Sequence, residues 1–410
     1  MARVKEIADV AIVGGGLAGM TAALAFGAPA MRGGFGAILI SGSGRRGKPA
    51  DLRALAITQT SRRMFATMGL WDDISPHAEP LVEIIVSDGR PGDIGPLLLR
   101  MEDSGSPEAP SAYFVEGATV ESVLAARLKQ SGHVRIVDEN VSRLEAKQGW
   151  VEIETEGGEQ LRARLLIGAD GKDSPSRAAA GIETIDFDYG QMGIVTTIEH
   201  ELPHGGRAYE HFMPAGPFAA LPLKGKRSSI VWTEEKEAAL SLISGSDEDF
   251  LAEIKRRLGN RVGKVTLCGA RQAYPLLLMI AKSFARQRIV LIGDAAHVIH
   301  PLAGLGFNLG MRDIAALAET VVEDARLGLD FGADATLEKY QSRRRLDTVM
   351  NAAVTDWLNR LFSNDHTVLR ALRDLGLGIV DRVPAAKRLF MREAAGLTGD
   401  LPKLMKGEAL

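Results

Sequence analysis

The sequence predicts a Rossmann-like α/β domain, interleaved with an α+β domain built on an antiparallel sheet and followed by C-terminal helices. An apolar strand near the N-terminus leads directly into a glycine-rich turn and a helix. A second apolar strand, ending in Gly293-Asp294, follows about 280 residues later. Between them, short strand-like runs are separated by turns containing Pro and Gly, which is typical of an antiparallel sheet.

The N-terminal motif has the spacing of a dinucleotide-binding turn. Residues 10–13 form a short apolar run, and Gly14-x-Gly16-x-x-Gly19 follows it. The first glycine permits a tight turn, the second lets backbone approach a pyrophosphate, and the third lets the next helix pack close to the strand. The helix that begins near Leu17-Ala18 points its free N–H groups at phosphates. This context favours dinucleotide binding over a glycine-rich turn without a ligand.

Composition limits the class of protein. The chain has 410 residues, of which 46% are hydrophobic and 25% charged, with a net charge of −3. These values are typical of a globular protein with two domains, and they lack the basic surplus of a nucleic-acid-binding protein. The single cysteine, Cys268, excludes an intrachain disulfide and a cysteine zinc cluster. We expect Cys268 in the core, no metal site, no nucleic-acid partner and a cytoplasmic location.

Strand and helix signals divide the chain into three parts. We predict a discontinuous dinucleotide-binding domain over residues 1–80, 111–184 and 285–350. A substrate domain is predicted over residues 81–110 and 185–284, and a helical segment over 351–410.

Two further strands end in an aspartate-containing turn, at Asp170-Gly171 and at Gly293-Asp294. A carboxylate accepts several hydroxyl hydrogen bonds at once, so Asp294 suits a polyol such as the ribityl chain of a flavin. Gly304 and Gly306 permit close backbone approach, and the helix signal from Phe307 onwards follows them. A helix N-terminus at this place would stabilise an anionic reduced flavin.

The three motifs together resemble those of the single-component, class A flavoprotein aromatic hydroxylases. Residues 299–313 and 340–377 narrow the resemblance to ubiquinone-biosynthesis hydroxylases of the UbiH and UbiF type, and it covers nearly the whole chain. It implies non-covalent FAD bound by Gly14, Gly16, Leu17, Ala18, Gly19, Arg53, Asp170, Gly293, Asp294, Gly304, Gly306, Phe307 and Asn308.

The resemblance also implies a reaction. NADPH or NADH, bound transiently, reduces FAD, and the reduced flavin traps O2 as the C4a-hydroperoxide. This species hydroxylates the phenol ring of a polyprenylated ubiquinone precursor. Two alternatives stay open: a hydroxylase of a soluble aromatic acid, and a non-catalytic flavin-binding subunit that assembles with other ubiquinone-biosynthesis proteins. Leu305, where the family usually has Gln, and Ser41, where it usually has an acid, keep the second alternative open.

Substrate-facing residues are less well defined. Tyr209 and His211 alternate on one strand face and are candidates for contact with an aromatic ring, with cross-strand packing as the alternative. Pro301 is a third candidate. For His297 a structural role is expected rather than a proton-transfer role, and for Arg53 a surface position is the alternative to flavin contact.

The basic and apolar residues of segment 382–404 suggest peripheral contact with the inner face of the cytoplasmic membrane. The alternative is a terminal helix that packs on the FAD-binding domain.

Overall fold

The structure is a computed structural model, and it describes residues 7–27, 35–42, 53–89, 97–102, 110–301, 304–362, 392 and 395–410. The strands of these ranges are β1 (Ala8–Val13), β2 (Ala37–Ile40), β3 (Ala54–Thr58), β4 (Glu79–Pro80), β5 (Glu83–Asp88), β6 (Leu97–Glu102), β7 (Ala112–Glu116), β8 (Val134–Val137), β9 (Val141–Ala146), β10 (Val151–Thr155), β11 (Gln160–Gly168), β12 (Thr184–His200), β13 (Arg207–Met213), β14 (Gly216–Leu223), β15 (Arg227–Glu235), β16 (Val265–Leu267), β17 (Gln272–Ala281), β18 (Ala285–Arg286), β19 (Ile289–Leu291) and β20 (His297–Val298).

The helices of the same ranges are α1 (Leu17–Gly27), α2 (Gln59–Thr67), α3 (Trp71–Ile74), α4 (Gly117–Gln130), α5 (Pro175–Ala179), α6 (Lys236–Ser244), α7 (Asp247–Leu258), α8 (Leu305–Arg326), α9 (Asp334–Phe362) and α10 (Lys403–Lys406). Short 3₁₀ turns occur at Ser75–His77 and Gly293–Ala295.

The first sheet has the predicted Rossmann-like core. Its order is β18-β19-β11-β1-β2-β8, and the five strands from β19 to β8 run parallel. The antiparallel strands β10 and β9 extend it from β11. Because β1 lies between β11 and β2, the glycine turn after β1 and the Asp170 turn after β11 meet at one edge of the sheet.

Residues 10–27 carry no charged side chain, and burial explains this run. Val10–Val13 and nearly all of α1 are inaccessible to solvent, because α1 packs against α4 and α8 beside the sheet. A strand buried on both faces reads as a continuous apolar run. No helix in the described ranges combines the length and apolarity needed to cross a bilayer.

The second sheet has the order β20-β17-β12-β15-β14-β13-β5-β6, with β16 paired to β12. Its pairings are antiparallel, as predicted, except that β13 and β5 run parallel. Strands β5 and β6 come from an earlier part of the chain and complete one end of the sheet. One face of the sheet packs on α6 and α7, so the other face is available to the first domain.

The end of the chain packs on the FAD-binding side. Leu404, Met405 and Leu410 are buried, and α10 lies against α2 and α8. The Nζ of Lys403 donates a 2.6 Å hydrogen bond to Glu323. Residues 395–404 of the basic segment therefore follow the packing alternative. Most of the rest of that segment lies outside the described residues.

The expectation for Cys268 was wrong. Its side chain is exposed just after β16, although its backbone N–H donates a 2.9 Å bond to the carbonyl of Thr197. A short strand at the margin of a sheet leaves such side chains in solvent.

Candidate active site

The glycine turn excludes side chains at two positions. Gly14 has φ +118°, and a Cβ there would lie 2.2 Å from the carbonyl oxygen of Ala169. A Cβ on Gly19 would lie 1.8 Å from the carbonyl oxygen of Gly14. The N-terminus of α1 therefore approaches β1 closely, as the sequence predicts, and Gly16, Leu17 and Ala18 line a cavity beside it.

This cavity has a volume of about 1320 Å³ and lies between the two sheets. One end is formed by the turns that follow β1, β11 and β19 and by the N-termini of α1 and α8. The other end is one face of the second sheet. A volume of this size accommodates a cofactor and a substrate together.

Asp170 connects two of the predicted motifs. Its carboxylate accepts hydrogen bonds from the backbone N–H of Ser176 (2.8 Å) and from the hydroxyl of Ser174, at the start of α5. The guanidinium of Arg177, on the same helix, donates a 2.9 Å bond to the carbonyl of Ala295. The Asp170 turn thereby braces the turn that holds Asp294. Asp170 and Asp294 both line the cavity, and the Asp294 carboxylate is exposed.

A buried ionic network supports the Gly293-Asp294 turn. Asp313, on α8, accepts hydrogen bonds from the backbone N–H of Gly293 (3.0 Å), Nε2 of His297 (2.6 Å) and Nε of Arg344 (2.8 Å). Burial opposes ionisation of Asp313, but His297 and Arg344 outweigh it and lower its pKa. His297 thus has the structural role expected for it. Sequence reasoning missed the role of Asp313, although the run from 299 to 313 contains it.

The N-terminus of α8 faces the cavity. Gly304, with φ +63°, precedes the helix, and Gly304, Gly306 and Phe307 line the cavity. Asn308 does not line it. Its Nδ2 donates to the carbonyl of Ala56 (2.7 Å), and its Oδ1 accepts from the hydroxyl of Ser61 (2.8 Å). Asn308 therefore joins α8 to the β3–α2 corner, and the FAD contact that the resemblance implies for it stays a prediction.

Leu305, which departs from the family pattern, packs against apolar neighbours. It contacts a small apolar cluster that contains Ile299, Leu309 and Ala352. Apolar neighbours favour Leu over the polar Gln usual in the family, because burying an unpaired amide against them costs free energy. The departure is therefore local packing and leaves Gly304, Gly306 and Phe307 in place.

The cavity wall beside β8 has a carboxylate, Glu139, that sequence reasoning missed. Ser41 does not line the cavity, but Glu139 and Asn140 do. They follow β8, which pairs in parallel with β2, so they reach the same edge of the sheet as the residue after β2. The sequence signal for Glu139 was an acid two residues after the parallel strand β8. The acid of a dinucleotide-binding fold usually follows the neighbouring strand, which is β2 in this chain.

Arg53 also lines the cavity, with its guanidinium carbon 5.8 Å from the ring centroid of Tyr274. It is the one Lys or Arg among the described residues that line it. Arg53 is exposed as well as lining the cavity, so flavin contact and a surface position both stay predictions for it.

Tyr209 and His211 do not face the cavity, so that prediction was wrong. They lie on the opposite face of β13, where Tyr209 joins the core beneath α7. Nε2 of His211 accepts a 3.0 Å bond from Arg261, and burial together with Arg261 lowers the pKa of His211 to about 3. The alternate residues of the strand, including Glu210, face the cavity instead. Pro301 lines the cavity, and its contact with the substrate stays a prediction.

The residues present fit FAD. Backbone N–H groups at the α1 N-terminus suit the pyrophosphate, and Asp294 suits the ribityl hydroxyls. Both ring nitrogens of the buried His300 lack a hydrogen-bond partner in the described part of the chain, and so does Nδ1 of His297. Both histidines line the cavity. Buried polar atoms without partners at the cavity wall are expected where a bound molecule supplies them. The described residues contain no group of His, Cys, Asp or Glu that forms a metal site.

Comparison with known proteins decides the family. The family described as FAD binding domain matches residues 7–355. The chain is 41% identical to the ubiquinone hydroxylase UbiL of Rhodospirillum rubrum, over 99% of this chain and 94% of that protein. It is 31% identical to 3-demethoxyubiquinol 3-hydroxylase of Escherichia coli, over 95% and 98%. The chain belongs to the FAD-dependent hydroxylase family of ubiquinone biosynthesis.

Solved structures agree with this family at the level of the fold. The p-nitrophenol 4-monooxygenase PnpA of Pseudomonas putida DLL-E4 superimposes with a TM-score of 0.80 at 21% identity, over 96% of this chain and 98% of that one. The predicted fold class is thereby confirmed. FAD is the cofactor of this hydroxylase, and NAD(P)H is the reductant typical of the family. The domain boundaries and the individual FAD contacts stay predictions.

Proposed function

We propose that this hydroxylase adds an oxygen atom to the ring of a polyprenylated phenol, a ubiquinone precursor. The observation that carries the proposal is the apolar character of the cavity at its sheet end. The side chains that form this end include Leu81, Ile84, Val86, Leu99, Met101, Val195, Phe212, Leu221, Val231 and Leu276. Such walls suit a ring with a hydrocarbon tail, because burial of the tail contributes roughly 0.8 kcal/mol per methylene group.

The residues of this chain bind and orient the substrate, and they exclude water from it. Bound FAD supplies the redox chemistry, with electrons from NAD(P)H and activation of O2. The N-terminus of α8, at Gly304 and Gly306, would stabilise negative charge on a bound flavin. Pro301 and His300 lie in the loop between Asp294 and α8 and line the cavity, where they contribute to the enclosure of the reacting ring.

A soluble aromatic acid is a weaker candidate. A carboxylate substrate needs a cation at the ring-binding end, and Arg53 is the one Lys or Arg among the described lining residues. Arg53 lies beside Tyr274 at the junction with the FAD-binding domain. The activities of two relatives, a ubiquinone hydroxylase and a 3-demethoxyubiquinol 3-hydroxylase, also favour a quinol-type ring.

The non-catalytic alternative loses its two supports. Leu305 is accommodated by apolar packing, and the acid absent at Ser41 has a counterpart in Glu139. Partnership with other ubiquinone-biosynthesis proteins is compatible with a catalytic role and remains part of the proposal.

The test uses the FAD-loaded protein with NADPH or NADH, under ¹⁸O2, and compares 2-prenylphenol with 4-hydroxybenzoate. We expect 2-prenylphenol to stimulate NAD(P)H oxidation and to gain one ¹⁸O atom per turnover. Efficient hydroxylation of 4-hydroxybenzoate alone would replace the proposal by the aromatic-acid alternative. FAD binding without hydroxylation of either compound would favour the non-catalytic one.

We also propose peripheral membrane contact at the inner face of the cytoplasmic membrane, mediated by α9. Five apolar side chains at helical spacing are 40% to 71% exposed: Leu346, Val349, Met350, Val354 and Trp357. Trp357 also lines the cavity, so this face is continuous with the proposed substrate site. A partly inserted apolar helix face would let a prenyl tail pass from lipid to protein.

Liposome co-sedimentation with anionic vesicles tests the contact. We expect Leu346→Glu and Met350→Glu to reduce binding at least fivefold. Leu240→Glu is the matched control, because Leu240 is an exposed leucine on α6. Equal binding by all three variants would rule out the α9 face.

A further inference from the structure

Glu210 is the centre of an apolar patch on the cavity wall. It lies on β13, where its register partners are Val86 of β5 and Ala219 of β14. Its neighbours on the same face of the strand are Ala208 and Phe212. The register partners of Glu210 on both adjoining strands and its two same-face neighbours along β13 are therefore apolar.

The Glu210 carboxylate has no partner in the described part of the chain. No described side chain or backbone N–H donates a hydrogen bond to it, and no described cation forms an ion pair with it. Burial alone raises its pKa to about 7. An unpaired carboxyl group costs free energy in apolar surroundings, and a fold with no use for it would place a hydrocarbon there. Its position facing the cavity indicates that a ligand group supplies the missing partner.

We propose that Glu210 is the catalytic residue that accepts the proton of the substrate's phenol hydroxyl. This rests on the proposed function, because the ligand must carry a hydroxyl donor on its ring. The ionised carboxylate accepts a hydrogen bond from the phenol O–H, which orients the ring within the apolar patch. The position of Glu210 suits this task, because the hydroxyl is the one polar group of a phenol ring that carries a hydrocarbon tail.

The proton step balances within the site. As oxygen is transferred to the ring, the phenol O–H bond breaks and its electron pair moves toward the ring, which makes the ring a stronger nucleophile. The proton forms the carboxyl O–H bond of Glu210. It returns to the same phenol oxygen when the ring regains aromaticity and its displaced C–H proton passes to water. General bases act most efficiently when their pKa lies near the working pH.

Other titratable groups do not compete for this role. The remaining titratable groups of the described lining, apart from Glu210, are Arg53, Glu139, Asp170, Tyr274, Asp294, His297 and His300. Arg53 precedes β3, Glu139 follows β8, Asp170 and Asp294 lie in the turns after β11 and β19, and His297 and His300 lie between Asp294 and α8. Tyr274 lies beside Arg53. From α9, Trp357 faces the cavity and does not titrate. Burial lowers the pKa of His300 to about 4, so His300 is a weak base.

The experiment compares Glu210→Gln and Glu210→Asp with the wild-type FAD-loaded protein. Glu199→Gln is the matched control, because Glu199 is an exposed carboxylate on β12 of the same sheet. The first readout is the affinity for 2-prenylphenol at equilibrium, measured from pH 5.5 to 8.5 through the change that binding causes in the flavin absorbance. The second is the fraction of reduced flavin that yields hydroxylated product in a single turnover with O2.

We expect wild-type affinity for 2-prenylphenol to rise as the pH increases through about 7, where the carboxylate forms. Glu210→Gln removes this pH dependence and lowers the hydroxylation rate by about 100-fold or more, within the range measured for general bases. Glu210→Asp restores part of both, and Glu199→Gln behaves as wild type. FAD affinity stays within twofold, and the reduced flavin that fails to transfer oxygen to the ring yields hydrogen peroxide instead.

A Glu210→Gln variant with the wild-type pH profile and hydroxylation yield would overturn the proposal. A wild-type protein that hydroxylates no phenol would contradict the proposed function instead, so the two failures are distinguishable. Glu210→Leu separates a functional from a structural role: we expect a raised melting temperature with hydroxylation lost. A lowered melting temperature together with unchanged hydroxylation would mean that Glu210 is structural.

Discussion

The Asp313 carboxylate, on α8, accepts a 3.0 Å hydrogen bond from the backbone N–H of Gly293, in the turn after β19. This bond connects the helix whose N-terminus faces the flavin site to the turn that holds Asp294. Asp313 also accepts from His297 and Arg344, and all three side chains are at most 2% exposed. The geometry of the FAD-binding end therefore depends on a buried charge that does not itself line the cavity.

Asp313→Asn tests this dependence. The amide leaves the buried Arg344 with the partly exposed Asp347 as its described carboxylate partner, so we expect the free energy of unfolding to fall by about 3 kcal/mol and FAD affinity to weaken at least tenfold. Urea denaturation and FAD titration measure the two effects. Asp73→Asn is the control, because Asp73 pairs with Arg127 on the surface and should change stability by less than about 1 kcal/mol. Unchanged FAD affinity in Asp313→Asn would contradict the supporting role.

Gly14→Ala tests the close approach of the first turn. A Cβ at this position meets the Ala169 carbonyl at 2.2 Å, and φ +118° disfavours any side chain. We expect FAD affinity to fall at least 100-fold, measured by flavin fluorescence. Gly132→Ala is the matched control, since a Cβ on Gly132 meets nothing within 4 Å. Near wild-type affinity in Gly14→Ala would show that the turn relaxes more easily than its geometry indicates.

Leu305→Gln restores the residue usual in the family and tests our account of the departure. Because Leu305 packs with Ile299 and Leu309, the amide loses apolar contacts. We expect the free energy of unfolding to fall by about 1 kcal/mol, with FAD affinity and hydroxylation within twofold of wild type. Leu327→Gln, at a highly exposed leucine, should be neutral. A large gain in hydroxylation by Leu305→Gln would show instead that the departure alters catalysis.

Glu210→Gln has a second, thermodynamic consequence. The folded state raises the pKa of Glu210 from 4.5 to about 7, so the folded protein binds more protons than the unfolded chain between these values. The free energy of unfolding of the wild-type protein therefore falls as pH rises through this window, and the Gln variant lacks this fall because its side chain does not titrate. We expect the variant to gain about 2–3 kcal/mol relative to wild type between pH 5 and 8. Denaturation at both pH values measures it, and a constant difference would contradict the raised pKa.

Much of the fold and of the FAD site was predictable because its signals are local. A strand, a glycine turn and a helix N-terminus are contiguous in the chain, so Gly14, Gly16 and Gly19 indicate their roles by spacing alone. The turns at Asp170 and Gly293 follow apolar strands in the same way. Glu139 was missed because its relevance depends on the parallel pairing of β8 with β2, which no local pattern reports.

The substrate wall was not predictable in the same way. Alternation along β13 indicates two faces, with Tyr209 and His211 on one and Glu210 on the other, but it does not say which face meets the flavin. That choice depends on α7, whose Phe250 and Ile254 cover the Tyr209 side of the sheet. The covering helix lies about 40 residues further along the chain.

By itself, the sequence indicated a flavin-binding Rossmann-like domain, since glycine spacing and strand-end carboxylates act through neighbouring backbone, and its resemblance to ubiquinone-biosynthesis hydroxylases indicated the reaction. Only the tertiary structure decided which side chains complete the site. Asp313 joins Gly293 to Arg344, Asn308 joins α8 to β3, and Glu210 meets the cavity without a partner. These relationships depend on packing between segments distant in the chain, because burial and hydrogen-bond partners are properties of the assembled fold.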